Sequence, residues 1–104
     1  MIIREWRGRT EVARADAYVR HFRNVVVPEL HRVPGFLGAY LTRHTLGDVV
    51  EYVVMTRWES MNAIRAFAGP IPERAVVEPG AVAALGSYDS TVRHYEVIDD
   101  VSKS

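Results

Sequence analysis

Cysteine is absent from this chain, which excludes disulfides and thiolate chemistry and suits a reducing compartment. Lysine is nearly absent as well: Lys103 is the single one, so arginine carries the positive charge. No apolar run approaches a membrane span, and "MIIREW" lacks the pattern of a secretory leader, so a cytoplasmic protein is expected. Charge of one sign is not in excess, with 13 basic and 13 acidic side chains, and no net field favours nucleic acid. Phosphate loops, dinucleotide fingerprints and nucleophile elbows are missing. The four histidines, His21, His31, His44 and His94, are not spaced as ligands on one helix or as an alternating strand pair, so no metal site is expected.

What the chain has is apolar residues, 48% of the total. Either the core is generous or some apolar surface meets a partner. A chain of 104 residues makes one domain, read as residues 1–98 with a tail at 99–104. "MIIREWR" reads as a first strand ended by Gly8, with Ile2, Arg4 and Trp6 on one face and Ile3 and Glu5 on the other. Thr10 is placed to cap a long helix running to about Val33. Ala15, Tyr18, Val19, Phe22, Val25, Val26, Leu30 and Val33 form its apolar stripe, and Pro28 predicts a kink. Arg14, Arg20 and Arg23 fall mainly off the stripe, as does a surface His21 or His31.

"FLGAYLTR" is the second strand, "HTLGD" a turn around Gly47, and "VVEYVVMTRW" the third strand, Val49 to Trp58. That strand is apolar on both alternations, which calls for cover on both faces. The helices suffice for one face, so the other is expected to meet a second subunit in a homodimer. Ser60 caps a second helix with Met61, Ile64 and Phe67 inward, stopped by Gly69-Pro70. The stretch "PIPERAVVEPGAVAALGSYDS" reads as broken helical turns, a lid or pocket wall. "TVRHYEVI" is the last strand. The order βαββαβ with a central hairpin predicts a ferredoxin-like α+β sandwich.

The chemistry on offer is mostly aromatic. Trp6, Tyr18, Phe22, Tyr52, Trp58 and Phe67 build either an ordinary core or a largely apolar small-molecule pocket. Trp58, at a strand-to-helix corner, is expected to close the mouth of such a pocket. His94, inside the last strand, is the histidine placed for acid–base work, against a plain structural role.

Four stretches, "MIIREWRGRT", "VPGFLGAYLTR", "YVVMTRWESMNAIRAFAG" and "VRHYEV", resemble the antibiotic biosynthesis monooxygenase domain family over nearly the whole chain. The most specific part runs from Trp58 to Gly69, followed by His94 to Val97. The resemblance implies a dimeric α+β barrel, two ferredoxin-like sheets face to face. It implies one of several activities. Some members oxygenate phenolic substrates with no cofactor, and others bind and degrade haem. The haem branch pairs the strand-end tryptophan with an asparagine on the first strand and a histidine on the second helix. Here Trp58 matches, but "IIREWR" has no asparagine and residues 61–72 no histidine. The resemblance therefore favours a cofactor-independent monooxygenase using dioxygen and a small aromatic substrate. Trp58 would be the aromatic wall, His94 or Tyr52 the acid–base group, and Arg65 or Arg93 the anion partner. A non-catalytic ligand binder or a structural dimeric module is the alternative.

Overall fold

The computed structural model describes residues 1–103. Strand β1 spans Ile2–Glu11, β2 Phe36–Leu46, β3 Val49–Trp58, β4 Ser87–Tyr88 and β5 Arg93–Glu96. They form one antiparallel sheet in the order β2-β3-β1, with β4 and β5 both paired to the free edge of β1. The helices are α1 (Ala15–His21), α2 (Val27–His31), α3 (Met61–Ala68) and α4 (Pro79–Ala84). This is the ferredoxin-like α+β architecture, its last strand split in two.

Gly8 does not end the first strand. It continues the pairing, opposite Tyr52 on one side and Tyr88 on the other. Its missing side chain serves packing: a Cβ there would lie 2.7 Å from Leu85 Cδ1. Thr10 consequently sits within β1, paired with Val50, and caps nothing. The chain leaves the strand through a 3-10 turn, Val12–Arg14, held by the Val12 N–H on Asp48 O at 2.9 Å.

Pro28 does not produce a simple kink. The backbone widens into a π turn over Phe22–Val26, where the Val27 N–H bonds Phe22 O five residues back. Proline offers no N–H to the preceding turn, and a widened turn just before it absorbs the missing bond. The second strand is longer than "FLGAYLTR" suggests, because the hairpin turn is tight. Leu46 pairs with Val49 across Gly47-Asp48, and Gly47 has φ 60 while no non-glycine among the described residues has positive φ. That is the pattern of a II′ turn, whose twist matches the strands it joins. The Ser60 hydroxyl caps α3 by accepting the Ala63 N–H at 3.2 Å, and Gly69 ends it at φ 94. Residues 70–90, expected as broken helical turns, hold α4 and β4; Arg74 also bridges Thr91. Beyond Glu96 no helix or strand follows among the described residues, and Ile98 and Val101 are exposed. Ser104 of the expected tail lies outside the described residues.

Helices cover one sheet face. Val50, Tyr52, Val54, Thr56 and Trp58 of β3 are all buried there. Two cores share that face. One joins Tyr18, Phe22, Tyr52, Val54 and Leu85, the other Leu30, Trp58 and Ile64. The opposite face carries Ile3, Val53 and Met55 beside the exposed Tyr40 and Tyr95. Along it Arg7 pairs with Glu5 and Glu51, and Arg9 with Glu51 and Asp89, at 3.0–3.2 Å. No described helix is long and apolar enough to cross a membrane.

Candidate functional site

Sheet register creates the floor of the site. Arg4 lies opposite Thr56 on β3 and opposite His94 on β5, so the three form one row across three strands on the helix-covered face. Arg4 is only 5% exposed. Its Nη1 donates to Pro72 O and to His94 Nε2, the latter at 3.0 Å, and its Nη2 donates to Arg74 O at 2.8 Å. The guanidinium carbon lies 5.9 Å from the centre of the Phe67 ring. Burial pulls the Arg4 pKa down to about 10, partly offset by the charge of Glu73. Burial, followed by the neighbouring Arg4 charge, lowers His94 below the usual histidine value, against a smaller opposing pull from Glu73. A neutral His94 is what Arg4 requires, since only an unprotonated Nε2 accepts its hydrogen bond.

Above this row a cleft opens between sheet and helices. Trp6, Tyr18 and Phe67 contribute aromatic surface, and Arg4, Val54 and Thr56 form the base. Trp6 is fixed by its indole N–H on Asp89 O at 2.7 Å and lies 6.0 Å from Tyr18, centre to centre. The part open to the centre of a water-sized molecule is about 70 Å³, so the cleft is narrow. Its outer end is acidic. Glu29 of α2 and Glu78, just before α4, both line it. Their side chains are hydrogen-bonded, which raises the Glu78 carboxyl to about 7, with burial and the Glu29 charge adding to the rise. The Glu78 carboxyl therefore keeps its proton up to near-neutral pH. Burial, with the Glu78 charge second, raises Tyr18 well above the usual phenol value, so its hydroxyl stays protonated.

His21 also lines the cleft, contrary to the surface position expected of it. Its ring packs 6.0 Å from Tyr18 and against Gly80, where a Cβ would come within 2.7 Å of Nδ1. Its Nε2 is buried without a hydrogen-bond partner among the described residues.

Trp6, Tyr18 and Phe67 are thus brought together, but several other expected site residues stand elsewhere. Trp58 is fully buried behind the floor and does not line the cleft. Its indole N–H donates to Thr56 Oγ1 at 2.7 Å, and its ring contacts Phe36 and Phe67 at 5.5 and 5.3 Å. Wedged under α3, it seals the second core instead of closing a mouth. Tyr52 is buried and its hydroxyl donates to Ala15 O at 2.6 Å, which commits its proton to the backbone away from the cleft. Phe22 is core, facing a shallow groove beside Phe36 on the far side of the helix. Arg65 is exposed and bonded to Asn62 Oδ1 at 3.0 Å. Arg93 belongs to a polar hollow with Glu5, Arg7, Asp89 and Thr91 on the other sheet face. His94 supports Arg4 from behind. The cation of the cleft is Arg4, not Arg65 or Arg93. The signal for it was a charged residue alternating with Ile2 and Trp6 on an apolar strand face.

A profile of the antibiotic biosynthesis monooxygenases matches residues 1–69, the whole of β1 through α3. The chain belongs to the antibiotic biosynthesis monooxygenase family. Solved structures agree in fold over nearly the whole chain. A homologue from Bacillus cereus, named for the antibiotic biosynthesis monooxygenases, has a TM-score of 0.69 at 18% identity and covers 98% of this chain and 97% of its own. A Streptomyces coelicolor monooxygenase in complex with nanaomycin D has a TM-score of 0.66 at 21% identity, covering 99% and 92%. A haem-degrading protein from Mycobacterium tuberculosis has a TM-score of 0.61 at 26% identity, covering 99% and 98%. No curated protein matches the chain significantly in sequence. Proteins of this fold thus carry different activities in their names, and the residues of the cleft must decide between them.

Proposed function

We propose that this family member is a cofactor-independent monooxygenase that oxidises a small hydroxylated aromatic in the cleft. The carrying observation is the conjunction of an aromatic-walled cleft with a carboxyl at its outer end, Glu78, that is raised to about 7. An ionised phenol is electron-rich enough to react with dioxygen itself. The protein then needs a base, a cavity that excludes water, and fixed groups around the developing charge. Glu78, beside Glu29, is the group we assign to take the phenolic proton, in its ionised form, as the hydroxyl of the entering guest passes the outer end of the cleft. Trp6, Tyr18 and Phe67 would hold the ring. In the overall reaction one oxygen atom enters the ring and the other leaves as water. The ring supplies all four electrons and becomes a quinone.

Because the cleft is narrow, a planar guest must displace side chains that line it. Haem fits these residues poorly. His21 is the one histidine lining the cleft, its ring is wedged against Tyr18 and Gly80, and the space beside it is far smaller than a macrocycle. α3 carries no histidine. The proposed protein partner is a second copy of the chain, covering the sheet face of Ile3, Tyr40, Val53, Met55 and Tyr95.

The test is dioxygen uptake with a panel of hydroxylated naphthalenes and anthracenes, under chelator. Isotopically labelled dioxygen should leave one labelled oxygen in the product, and Glu78→Gln should slow the reaction. Absence of uptake above buffer across the panel would refute the proposal and leave a ligand-binding or structural module.

A further inference from the structure

Arg4 is a buried cation without a counterion. Its side chain is 5% exposed, and none of the four ion pairs among the described residues includes it. Glu73 acts on it only through its charge, from beyond salt-bridge distance. Burying a cation without an anion is costly, and good hydrogen bonds offset only part of that cost. A guanidinium has five N–H donors. Three are committed, to Pro72 O, Arg74 O and His94 Nε2, all neutral acceptors. The Nε–H and one Nη2 proton remain, on a side chain that lines the cleft.

A purely structural staple between β1 and residues 72–74 would explain the two carbonyl bonds. It would not explain why the charge faces a cavity, nor why a neutral imidazole fills the third position. An exposed staple site would serve equally well with lysine and no burial. The surroundings also restrict what the free donors meet. Trp6, Tyr18 and Phe67 offer flat apolar surface, and the outer end is acidic through Glu29 and Glu78. A free phosphate or another dianion would find one cation, few other donors and repulsion at the entrance.

We propose that Arg4 is the receptor for a single oxyanion carried on a planar aromatic guest, which enters ring-flat with its charged oxygen inward. The shared chemistry is one negative oxygen on an aromatic ring, from either an ionised phenol or an aromatic carboxylate. This rests on the reading that the cleft admits an aromatic guest, and it adds the charge and the orientation of that guest. His94 is a positioning residue. It accepts from Nη1 and so leaves the Nε–H and one Nη2 proton as the donors available to a guest.

The experiment compares three probes of similar shape on the wild-type protein at constant salt: para-nitrophenol, para-nitrobenzoate and the uncharged para-nitroanisole. A charge-assisted hydrogen bond in an apolar site should favour an anion over the anisole by about tenfold or more. Bound para-nitrophenol should show the phenolate absorption band at a pH where the free probe is largely neutral. Preference for the phenolate alone assigns phenolic guests, and a matching preference for the benzoate extends the site to carboxylates. Arg4→Met should abolish the preference and Arg4→Lys should keep part of it. Should Arg4→Met fail to fold by circular dichroism, the wild-type probe ratio and the bound spectrum decide alone. Equal binding of anisole and anions, a bound nitrophenol that stays neutral, or no binding of any probe overturns the proposal. Dioxygen uptake separates the two ideas. Turnover without anion preference overturns the Arg4 site and leaves the monooxygenase reading intact. Anion preference without turnover does the reverse.

Discussion

Trp58→Ala is expected to threaten the fold. The ring is fully buried in a core with Leu30 and Ile64, edge-on to Phe36 at 5.5 Å and tilted on Phe67 at 5.3 Å. Truncating a buried Trp or Phe to Ala costs about 3–5 kcal/mol. The indole N–H on Thr56 Oγ1 is lost too, and such a bond is worth about 0.5–1.5 kcal/mol. These terms overlap, so a loss of roughly 4–5 kcal/mol is expected, against about 5–15 kcal/mol of total stability for a domain. Urea denaturation followed by circular dichroism measures it, with Trp58→Phe as companion. Phenylalanine keeps most of the packing and forfeits the N–H, so its loss should be about 1–2 kcal/mol. A tryptophan walling an open cleft would have fewer contacts to lose. A loss below about 1.5 kcal/mol for Trp58→Ala would refute the sealed-core account.

Tyr52→Phe leaves Ala15 O without its buried donor and should cost about 1–2 kcal/mol while sparing oxygenation, as measured by urea melts beside dioxygen uptake; loss of turnover with unchanged stability would restore Tyr52 as a catalytic candidate. Glu78 is raised from 4.5 to about 7, so its contribution to stability is fully present below about 4.5 and is lost as pH rises through 7. The stability difference between wild type and Glu78→Gln should therefore fall over that window, and a flat difference would contradict the raised Glu78 carboxyl. His94 runs the other way: its lowered pKa means its contribution is lost as pH falls below the ordinary value of 6.5, so Glu78→Gln should leave the more acid-sensitive profile. Wild type should sediment at twice the chain mass at micromolar concentration, and Met55→Lys, which plants a charge in the exposed apolar sheet face, should shift it to the monomer; a wild-type monomer would remove the two-sheet arrangement.

The fold was legible because it is written in local signals that agree. The alternation in "VVEYVVMTRW" located β3 to the residue, and Ser60 and Gly69 bracketed α3 with the chemistry that caps require. Misreadings came where tertiary packing overrides a local cue. Gly8 reads as a stop in isolation, yet here it makes room for Leu85, which is distant in sequence. Pro28 reads as a kink, yet the helix absorbs it in a π turn whose register no periodicity reveals. The cleft was half legible. Trp6, Tyr18 and Phe67 were visible as aromatics on inward faces, whereas the Glu29–Glu78 contact joins residues far apart with no shared spacing. Arg4 was not among the expected site residues, because a charge on a strand gives no local sign of burial. Its two apolar neighbours on the same face argued the opposite.

The tryptophan at the strand-to-helix corner now has a physical role that needs no direct contact with a ligand. Its side chain points to the same sheet face as Thr56, one alternation away, and its N–H fixes the Thr56 hydroxyl at 2.7 Å. That hydroxyl also reaches Arg4 O, at a long 3.5 Å, beside the row of Thr56, Arg4 and His94. A large rigid ring under α3 holds that end of β3 in place, and Phe67, tilted against it, lies beside the guanidinium. Removing the ring would therefore loosen the second core and the Arg4 environment together. A corner tryptophan can matter to a cleft it never lines, because it fixes the strand and the aromatic neighbour that do.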